Sequence, residues 1–238
     1  LINNEIRYCL WLKGIEPNEL REMKLVLERI SKVKEARLKA KDKGTRKLAE
    51  RPYEFRDLNN PEYYIAIPKT SSENRKYIPI AYFTKEYIPS DSIRILENGT
   101  LYHFGILMSA MHIAWVKSVC GRLKSDYRYS KDIVYNNFPW PENLSEKQIK
   151  NIEEKAQKVL DARAEFPNSS LADLYDPLAM PPALVNAHNE LDKAVDLAYR
   201  SSAFNNEASR LVYLFELYDK YAENLFSKEK PRKYNKNL

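Results

Sequence analysis

The chain has 238 residues, 44% of them hydrophobic, and carries 39 Lys and Arg against 33 Asp and Glu, a formal net charge of +6. Five glycines without a glycine-rich phosphate loop argue against a nucleotide-binding fold, and two cysteines are too few for a disulfide framework or a zinc site. No run of about 18 apolar residues occurs, so we expect no membrane span, and the cysteine usage favours a reducing, cytoplasmic setting.

The charge is distributed unevenly. Residues 1–141 hold 25 basic and 17 acidic residues, residues 142–226 hold 9 and 15, and residues 227–238 hold 5 and 1. The sign changes at the proline-rich segment 138–141, which predicts a boundary between a domain over 1–141 and a domain over 142–238. The basic domain is the one expected to meet a polyanion. The alternative is a solvated basic helix face beside an acidic helical pack.

A basic helix is predicted over about residues 17–42. Pro17 occupies a first-turn position, and apolar residues then recur at helical spacing: Leu20, Met23, Leu27 and Ile30. The surrounding segment Arg21–Arg51 carries 12 basic against 5 acidic residues. Such a segment either lies on a phosphate backbone or forms a mobile surface arm. The candidate phosphate-binding residues are Lys32, Lys34, Lys39, Arg46 and Lys47.

Short strands and a buried helix are predicted next, which makes the first domain α+β. Leu101–Val119 is apolar nearly all round, as expected of a buried helix. Prolines and an Asn-Gly turn separate runs rich in β-branched and aromatic residues. The predicted strands are Tyr63–Pro68, Tyr77–Phe83, Ile93–Leu96 and Tyr127–Tyr135.

The second domain is predicted to be all-α. Ser145 and Gln148 have the spacing of a capping box at the start of its first helix. Two further amphipathic helices are predicted over Ala183–Tyr199 and Asn206–Phe226. Residues 227–238 form a basic tail, of which Lys228–Leu238 is predicted to be disordered.

Nothing in the sequence forms a catalytic constellation. His103 and His112 are nine residues apart, which is not a metal-ligand spacing on a helix, so these and His188 are interpreted as core histidines. The segment 137–140, Asn-Phe-Pro-Trp, shares three residue types with the loop that holds a flipped base in amino-methylating DNA methyltransferases, but Phe138 replaces its first proline. We therefore expect no catalytic, cofactor-binding or metal-binding residue in this chain.

Charged residues alternate between Gly121 and Tyr129. If this segment is extended, Arg122, Lys124, Asp126 and Arg128 project from one face. An aspartate in such a row would repel a phosphate backbone but can accept from the N4 amine of cytosine, while lysine can donate to guanine O6 and N7. These four side chains are predicted to read DNA bases. The alternative is an exposed strand with a Lys–Asp ion pair.

Several blocks of the sequence resemble the C-terminal region of MmeI-like adenine-specific DNA methyltransferases and restriction–modification enzymes. The resemblance covers roughly residues 45–200 and includes both the target-recognition domain and the helical segment that follows it. The blocks that carry it are Arg51–Arg56, Tyr64–Pro68, Gly121–Ser130, Ile133–Pro141 and Leu174–Tyr199.

The resemblance implies a recognition role. Full-length relatives use S-adenosylmethionine to methylate adenine N6 within a short asymmetric site, and some also carry an N-terminal endonuclease, which would need Mg²⁺. In relatives, a charged pair in the segment matching Lys124 and Asp126 helps to set the accepted base, and the position matching Arg128 contributes to another.

The resemblance also implies the partners of the chain. Since it opens at Leu1 and lacks catalytic motifs, we expect a non-catalytic segment of a longer protein. Its expected partners are double-stranded DNA and an upstream methyltransferase domain of the same polypeptide, with no membrane. The alternative function is a protein–protein docking module without base readout.

Overall fold

The computed structural model describes the backbone of residues 1–227 and the side chains of residues 1–223. Helices and small antiparallel sheets confirm the α+β expectation, and the C-terminal region is helical as predicted. The chain divides into two compact units: one is Ile6–Asn60, and the other combines Leu1–Glu5 with the chain from Pro61 onward. The segment predicted to be disordered, Lys228–Leu238, lies outside the described residues.

The unit Ile6–Asn60 is helical. Its helices are α1 (Pro17–Glu22), α2 (Lys24–Leu38) and α3 (Lys43–Lys47), followed by a 3-10 turn at Leu48–Glu50. The backbone of Met23 leaves the helical region, with φ −90° and ψ 70°, and so separates α1 from α2. The single helix predicted over 17–42 is therefore two helices that end at Leu38. No residue of α2 is buried, so its apolar spacing does not mark a covered face.

Arg37 ties α2 to the segment that follows α3. Its guanidinium donates to the carbonyl oxygens of Leu48 and Arg51, both at 2.8 Å, and of Glu54 at 2.6 Å. A charged donor that reaches three carbonyl oxygens is a strong fixing interaction. The half-buried Arg37 therefore holds the C-terminal end of α2 against residues 48–54.

The other unit contains two three-stranded antiparallel sheets. The strands are β1 (Tyr63–Pro68), β2 (Thr70–Ser71), β3 (Ala81–Thr84), β4 (Ile93–Glu97), β5 (Gly121–Leu123) and β6 (Asp126–Arg128). In the first sheet, β1 lies between β3 and β4. In the second, β6 lies between β2 and β5.

Two of the predicted strands are shorter than expected. The run predicted over 77–83 pairs only from Ala81, because Pro79 has no N–H to donate to a neighbouring strand. The run predicted over 127–135 is wrong beyond Arg128, since Lys131–Tyr135 forms a π-helical turn.

The predicted buried helix 101–119 is two helices, α4 (Leu101–Leu107) and α5 (Ala110–Val119). Ser109 separates them and caps α5 by accepting from the N–H of His112 at 3.3 Å. Both helices are largely buried, as their apolar composition predicts. His103 lies in the first turn of α4, where its Nδ1 accepts from the N–H of Thr100 at 3.2 Å.

Three of the four described helices of the C-terminal region lie close to their predicted positions, and the short helix at Leu171–Leu174 was not predicted. Ser145 and Gln148 form the predicted capping box at the start of the first of them. The helices are α6 (Glu146–Ala164), α7 (Leu171–Leu174), α8 (Pro182–Tyr199) and α9 (Glu207–Ser227).

A single core joins helices from both sides of Pro141. Gly105 on α4 packs so closely that a Cβ there would lie 2.7 Å from Cγ2 of Ile152 on α6 and 3.3 Å from Cδ1 of Leu191 on α8. Because the close approach depends on the missing side chain, α4 can dock into the angle between α6 and α8. Residues 61–141 and the described residues after Pro141 therefore share one compact unit. The position of the domain boundary at 141 stays a prediction.

A buried carboxylate strengthens this connection. Asp192 on α8 accepts from the hydroxyl of Tyr77 at 2.6 Å and from the N–H of Ala110, at the start of α5, at 2.7 Å. Burial raises the pKa of this carboxyl above its usual range. The two donors satisfy the carboxylate and attach α8 to the segment before β3 and to α5.

Two histidines lie in the core, as interpreted from the sequence. The ring of His112 contacts the carbonyl oxygen of Leu107 through Nδ1 at 2.9 Å and the hydroxyl of Tyr129 through Nε2 at 3.1 Å. His188 contacts the hydroxyl of Tyr175 through Nε2 at 2.8 Å. Burial lowers the pKa of His112 to about 4 and holds that of His188 well below its usual value.

We expect the chain to lose stability as the pH falls from 6.5 towards 4. In that range the unfolded chain binds a proton at His112 while the folded chain does not. The contribution of neutral His112 to the free energy of unfolding is therefore fully present above pH 6.5 and is lost on acidification. The loss from this residue is about 3 kcal/mol at pH 4. Urea unfolding measured from pH 7 to pH 4.5 tests it. The His112→Gln variant should show a shallower pH dependence, and an unchanged dependence would contradict the prediction.

Candidate functional site

The predicted base-reading residues lie in a hairpin, not in one extended strand. Strands β5 and β6 pair antiparallel, and Lys124 and Ser125 form the turn between them. Lys124 has φ +57°, in the left-handed region, where the chain reverses. The expectation that Arg122, Lys124, Asp126 and Arg128 share one face is therefore wrong, because the strand register restarts after the turn.

The inner face of the hairpin carries Arg122. Directly opposed residues on antiparallel strands point to the same side of a sheet. Arg122 is opposite Tyr127, and Tyr127 is opposite Ser71 on β2. Tyr127 and Ser71 are both buried, so this side faces the protein.

Arg122 acts as a brace on the inner face. Its guanidinium carbon lies 4.3 Å from the ring centroid of Tyr127, and Nη1 donates to the carbonyl oxygen of Ser125 at 2.9 Å. The same nitrogen lies 3.5 Å from a carboxylate oxygen of Glu73, whose carbonyl accepts from the Tyr127 hydroxyl at 3.3 Å. These contacts hold the hairpin turn and the segment at Glu73 together. Base reading by Arg122 stays a prediction, but its charge is already partnered.

The opposite side, which we call the outer hairpin face, consists of Thr70, Gly121, Leu123, Asp126 and Arg128. The register places Arg128 between Thr70 and Gly121, and Leu123 directly opposite Asp126. The side chains of Leu123 and Arg128 are exposed, and Asp126 is half-buried. Sequence reasoning missed Thr70, which is 58 positions from Arg128, and assigned Leu123 to the other side.

Three of the predicted readers are free to bind a ligand. Within residues 1–223, the side chains of Lys124, Asp126 and Arg128 make no hydrogen bond or ion pair. The turn holds Lys124 at the tip of the hairpin, next to the outer hairpin face. The Lys–Asp ion pair of the alternative interpretation does not form. Two cationic donors and one anionic acceptor thus stand together without internal partners.

The predicted phosphate-binding residues all lie in the unit Ile6–Asn60, and all are exposed. Lys32 and Lys34 belong to α2, and Lys39 directly follows it. At 100° per residue, Lys32 and Lys39 share one side of the helix, while Lys34 points about 200° away from Lys32. Arg46 and Lys47 belong to α3.

Arg46 also has a structural role. It donates to the carbonyl oxygens of Ala40 at 2.9 Å and Lys41 at 2.7 Å, which lie just after the end of α2. These bonds use the same guanidinium nitrogen and fix the loop between α2 and α3. Phosphate binding by Arg46 and by the four lysines stays a prediction.

Neither a metal-binding cluster nor a helix able to cross a membrane occurs in the described part of the chain. Among those residues, no group of three or more His, Cys, Asp or Glu side chains has an arrangement that could hold a metal ion. None of the described helices is both long enough and apolar enough to cross a membrane.

Comparisons with known proteins agree with the resemblance. Residues 1–142 match the family model described as MmeI, target recognition domain, and residues 144–226 match that described as MmeI, C-terminal domain. DNA methyltransferase A of Bacillus subtilis (strain 168) is 45% identical over 223 residues, which is 93% of this chain and 25% of that protein. A solved structure of the Type IIL restriction-modification enzyme MmeI in complex with DNA has a TM-score of 0.89 and 48% sequence identity, and covers 93% of this chain and 30% of that chain.

Proposed function

The chain belongs to the MmeI family, and from this premise we propose that it provides sequence-specific DNA recognition within an S-adenosylmethionine-dependent adenine-N6 DNA methyltransferase. The observation that carries the proposal is the hairpin, which presents Lys124, Asp126 and Arg128 without internal partners in the segment that matches a target recognition domain. The chain spans about a quarter of one relative and 30% of the other.

The chemistry of the three side chains suits the major groove. Asp126 can accept from the N4 amine of cytosine, Lys124 can donate to O6 and N7 of guanine, and Arg128 can bind the same guanine atoms in a bidentate manner. A two-stranded ribbon of this kind is narrow enough to enter that groove. Arg122, on the inner face, would then fix the position of the hairpin. The lysines of α2 would bind phosphates and position the protein without specifying sequence.

The remaining parts of the reaction are assigned to the rest of the polypeptide. We propose that an upstream methyltransferase domain binds S-adenosylmethionine and transfers its methyl group, and that Mg²⁺ is needed where a nuclease domain is also present. The setting proposed for this reaction is cytoplasmic.

Selection from a random duplex library tests the recognition role. The full chain is mixed with duplexes that contain a randomised central segment, and the bound duplexes are sequenced after several rounds. We expect enrichment of one short asymmetric sequence. Recovery of duplexes without sequence preference would contradict the proposal.

The docking alternative has a separate test. A protein–protein module does not neutralise DNA phosphates and so releases no counterions. Its binding to a random duplex should therefore not depend steeply on salt. A DNA-reading chain should instead show an observed binding constant that falls by about 0.9 log units per log unit of salt for each phosphate contact. A flat salt dependence would favour the docking module.

Removing the charge of Lys32 should weaken binding to all duplexes equally. The Lys32→Gln variant loses one phosphate contact, so we expect the salt slope to decrease by about 0.9 without a change in the preferred sequence. Lys147→Gln is the matched control, because Lys147 is an exposed lysine on α6 in the acidic region that is not proposed to contact DNA, so its loss should leave the slope unchanged. Equal slopes for Lys32→Gln and the unchanged chain would exclude Lys32 as a phosphate contact.

A further inference from the structure

The outer hairpin face contains an apolar side chain among its charged residues. Leu123 is 53% exposed and lies directly opposite Asp126 in the strand register, one pair from the turn. It therefore stands on the same side of the sheet as Asp126 and Arg128. About half of this large apolar side chain is therefore left in contact with solvent, beside charged residues.

Resting on the proposed function, we propose that Leu123 is a further specificity-determining residue that contacts the 5-methyl group of a thymine. In the major groove the base edges present hydrogen-bonding atoms except at thymine, which adds an apolar methyl group. If Asp126 reaches a base edge, Leu123, which is directly opposite it on the same face, reaches the same depth in the groove. The side chain of Leu123 has no hydrogen-bonding atom. The thymine methyl group is therefore the feature of the major groove that it can contact.

The brace on the inner face supports this role. Arg122 and Leu123 are neighbours on β5 and point to opposite sides, and Arg122 is held by Tyr127 and by the carbonyl of Ser125. The backbone at Leu123 is therefore fixed by its neighbour and by pairing with Asp126. A fixed backbone places the leucine at one position along the DNA, which a mobile side chain on a loose loop would not do.

Deoxyuridine provides a direct probe, because it differs from thymidine by the 5-methyl group. The experiment uses the full chain and the sequence enriched by the library selection. Each thymine is replaced in turn by deoxyuridine, and binding is measured by fluorescence anisotropy. We expect one thymine whose replacement weakens binding about fourfold, the value for one buried methyl-sized group. In the Leu123→Ala variant that replacement should have no effect.

A matched control separates contact from general loss. Leu178 is 99% exposed and lies in the turn between α7 and α8. The Leu178→Ala variant should keep the fourfold effect of deoxyuridine. Urea unfolding of the Leu123→Ala and Leu178→Ala variants should show stabilities within about 0.5 kcal/mol of the unchanged chain, as expected for surface positions.

The possible failures are distinguishable. If the selection enriches no sequence, the proposed recognition function itself fails. If a sequence is enriched but it contains no thymine on either strand, or no thymine is sensitive to deoxyuridine, the role of Leu123 is overturned while recognition stands. The same holds if the deoxyuridine effect persists in the Leu123→Ala variant.

Discussion

Exchanging Lys124 for Glu and Asp126 for Arg is expected to change the base pair that is accepted at one position of the DNA site. The exchange turns the donor at the hairpin turn into an acceptor and the acceptor on β6 into a donor. Each good bidentate contact discriminates by about 1–3 kcal/mol. Preference between G·C and C·G at that position should therefore shift by about 3 kcal/mol, which is more than a hundredfold.

The hairpin should tolerate the exchange. Lys124 occupies the left-handed region with φ +57°, and Glu carries the same Cβ penalty there as Lys. Asp126 lies on the outer hairpin face, so an arginine at this position can extend away from the protein. Relative affinities for duplexes that differ at single positions of the selected sequence measure the shift.

The matched control is Arg122→Gln. This substitution removes the brace on Tyr127 and Ser125 but no side chain of the outer hairpin face. We expect weaker binding to all duplexes with the order of preference kept. If the double exchange behaves in the same way, lowering affinity uniformly, Lys124 and Asp126 contact phosphate or have a structural role instead of reading bases.

Local patterns predicted the C-terminal helices well. A capping box is complete within four residues, so Ser145 and Gln148 could be recognised without any tertiary information. The apolar members of the buried face of α8 follow from their spacing, but His188, Asp192 and Asp196, which are buried on the same helix, do not. The helix breaks at Met23 and Ser109 were missed because neither glycine nor proline marks them.

The geometry of the site depended on contacts between distant residues. The turn at Lys124 and Ser125 contains no glycine or asparagine, the usual signals of a two-residue hairpin. Arg122 holds this turn in place. It donates to the carbonyl oxygen of Ser125 and forms an ion pair with Glu73, which is 49 residues away from it. Spacing along the chain singled out the charged residues of this segment but could not show that Arg122 points inward and Leu123 outward.

Replacing Gly105 with valine is expected to destabilise the compact unit from Pro61 onward by about 3 kcal/mol. A Cβ at this position would lie 2.7 Å from Ile152, closer than carbon atoms approach, and 3.2 Å from Ala156, which is also a tight contact. Since both contacts come from α6, the strain falls on the packing between the target recognition domain and the C-terminal domain. Urea unfolding followed by tryptophan fluorescence measures the loss. We expect one transition at a lower midpoint, because the two domains share a core.

Gly121→Val is the matched control, which should leave stability nearly unchanged and alter base preference. A Cβ at Gly121 meets no heavy atom within 4 Å, and a β-branched residue suits a strand, so stability should change by less than about 0.5 kcal/mol. Gly121 lies beside Arg128 on the outer hairpin face, so the added side chain should alter base preference instead. A Gly105→Val chain that unfolds at the normal midpoint, or in two steps, would show that the domains are stable independently. Lost stability at Gly105 and altered base preference at Gly121 would show that the packing of the helices and the surface that reads DNA are separate features. Recognition could then change without loss of the fold.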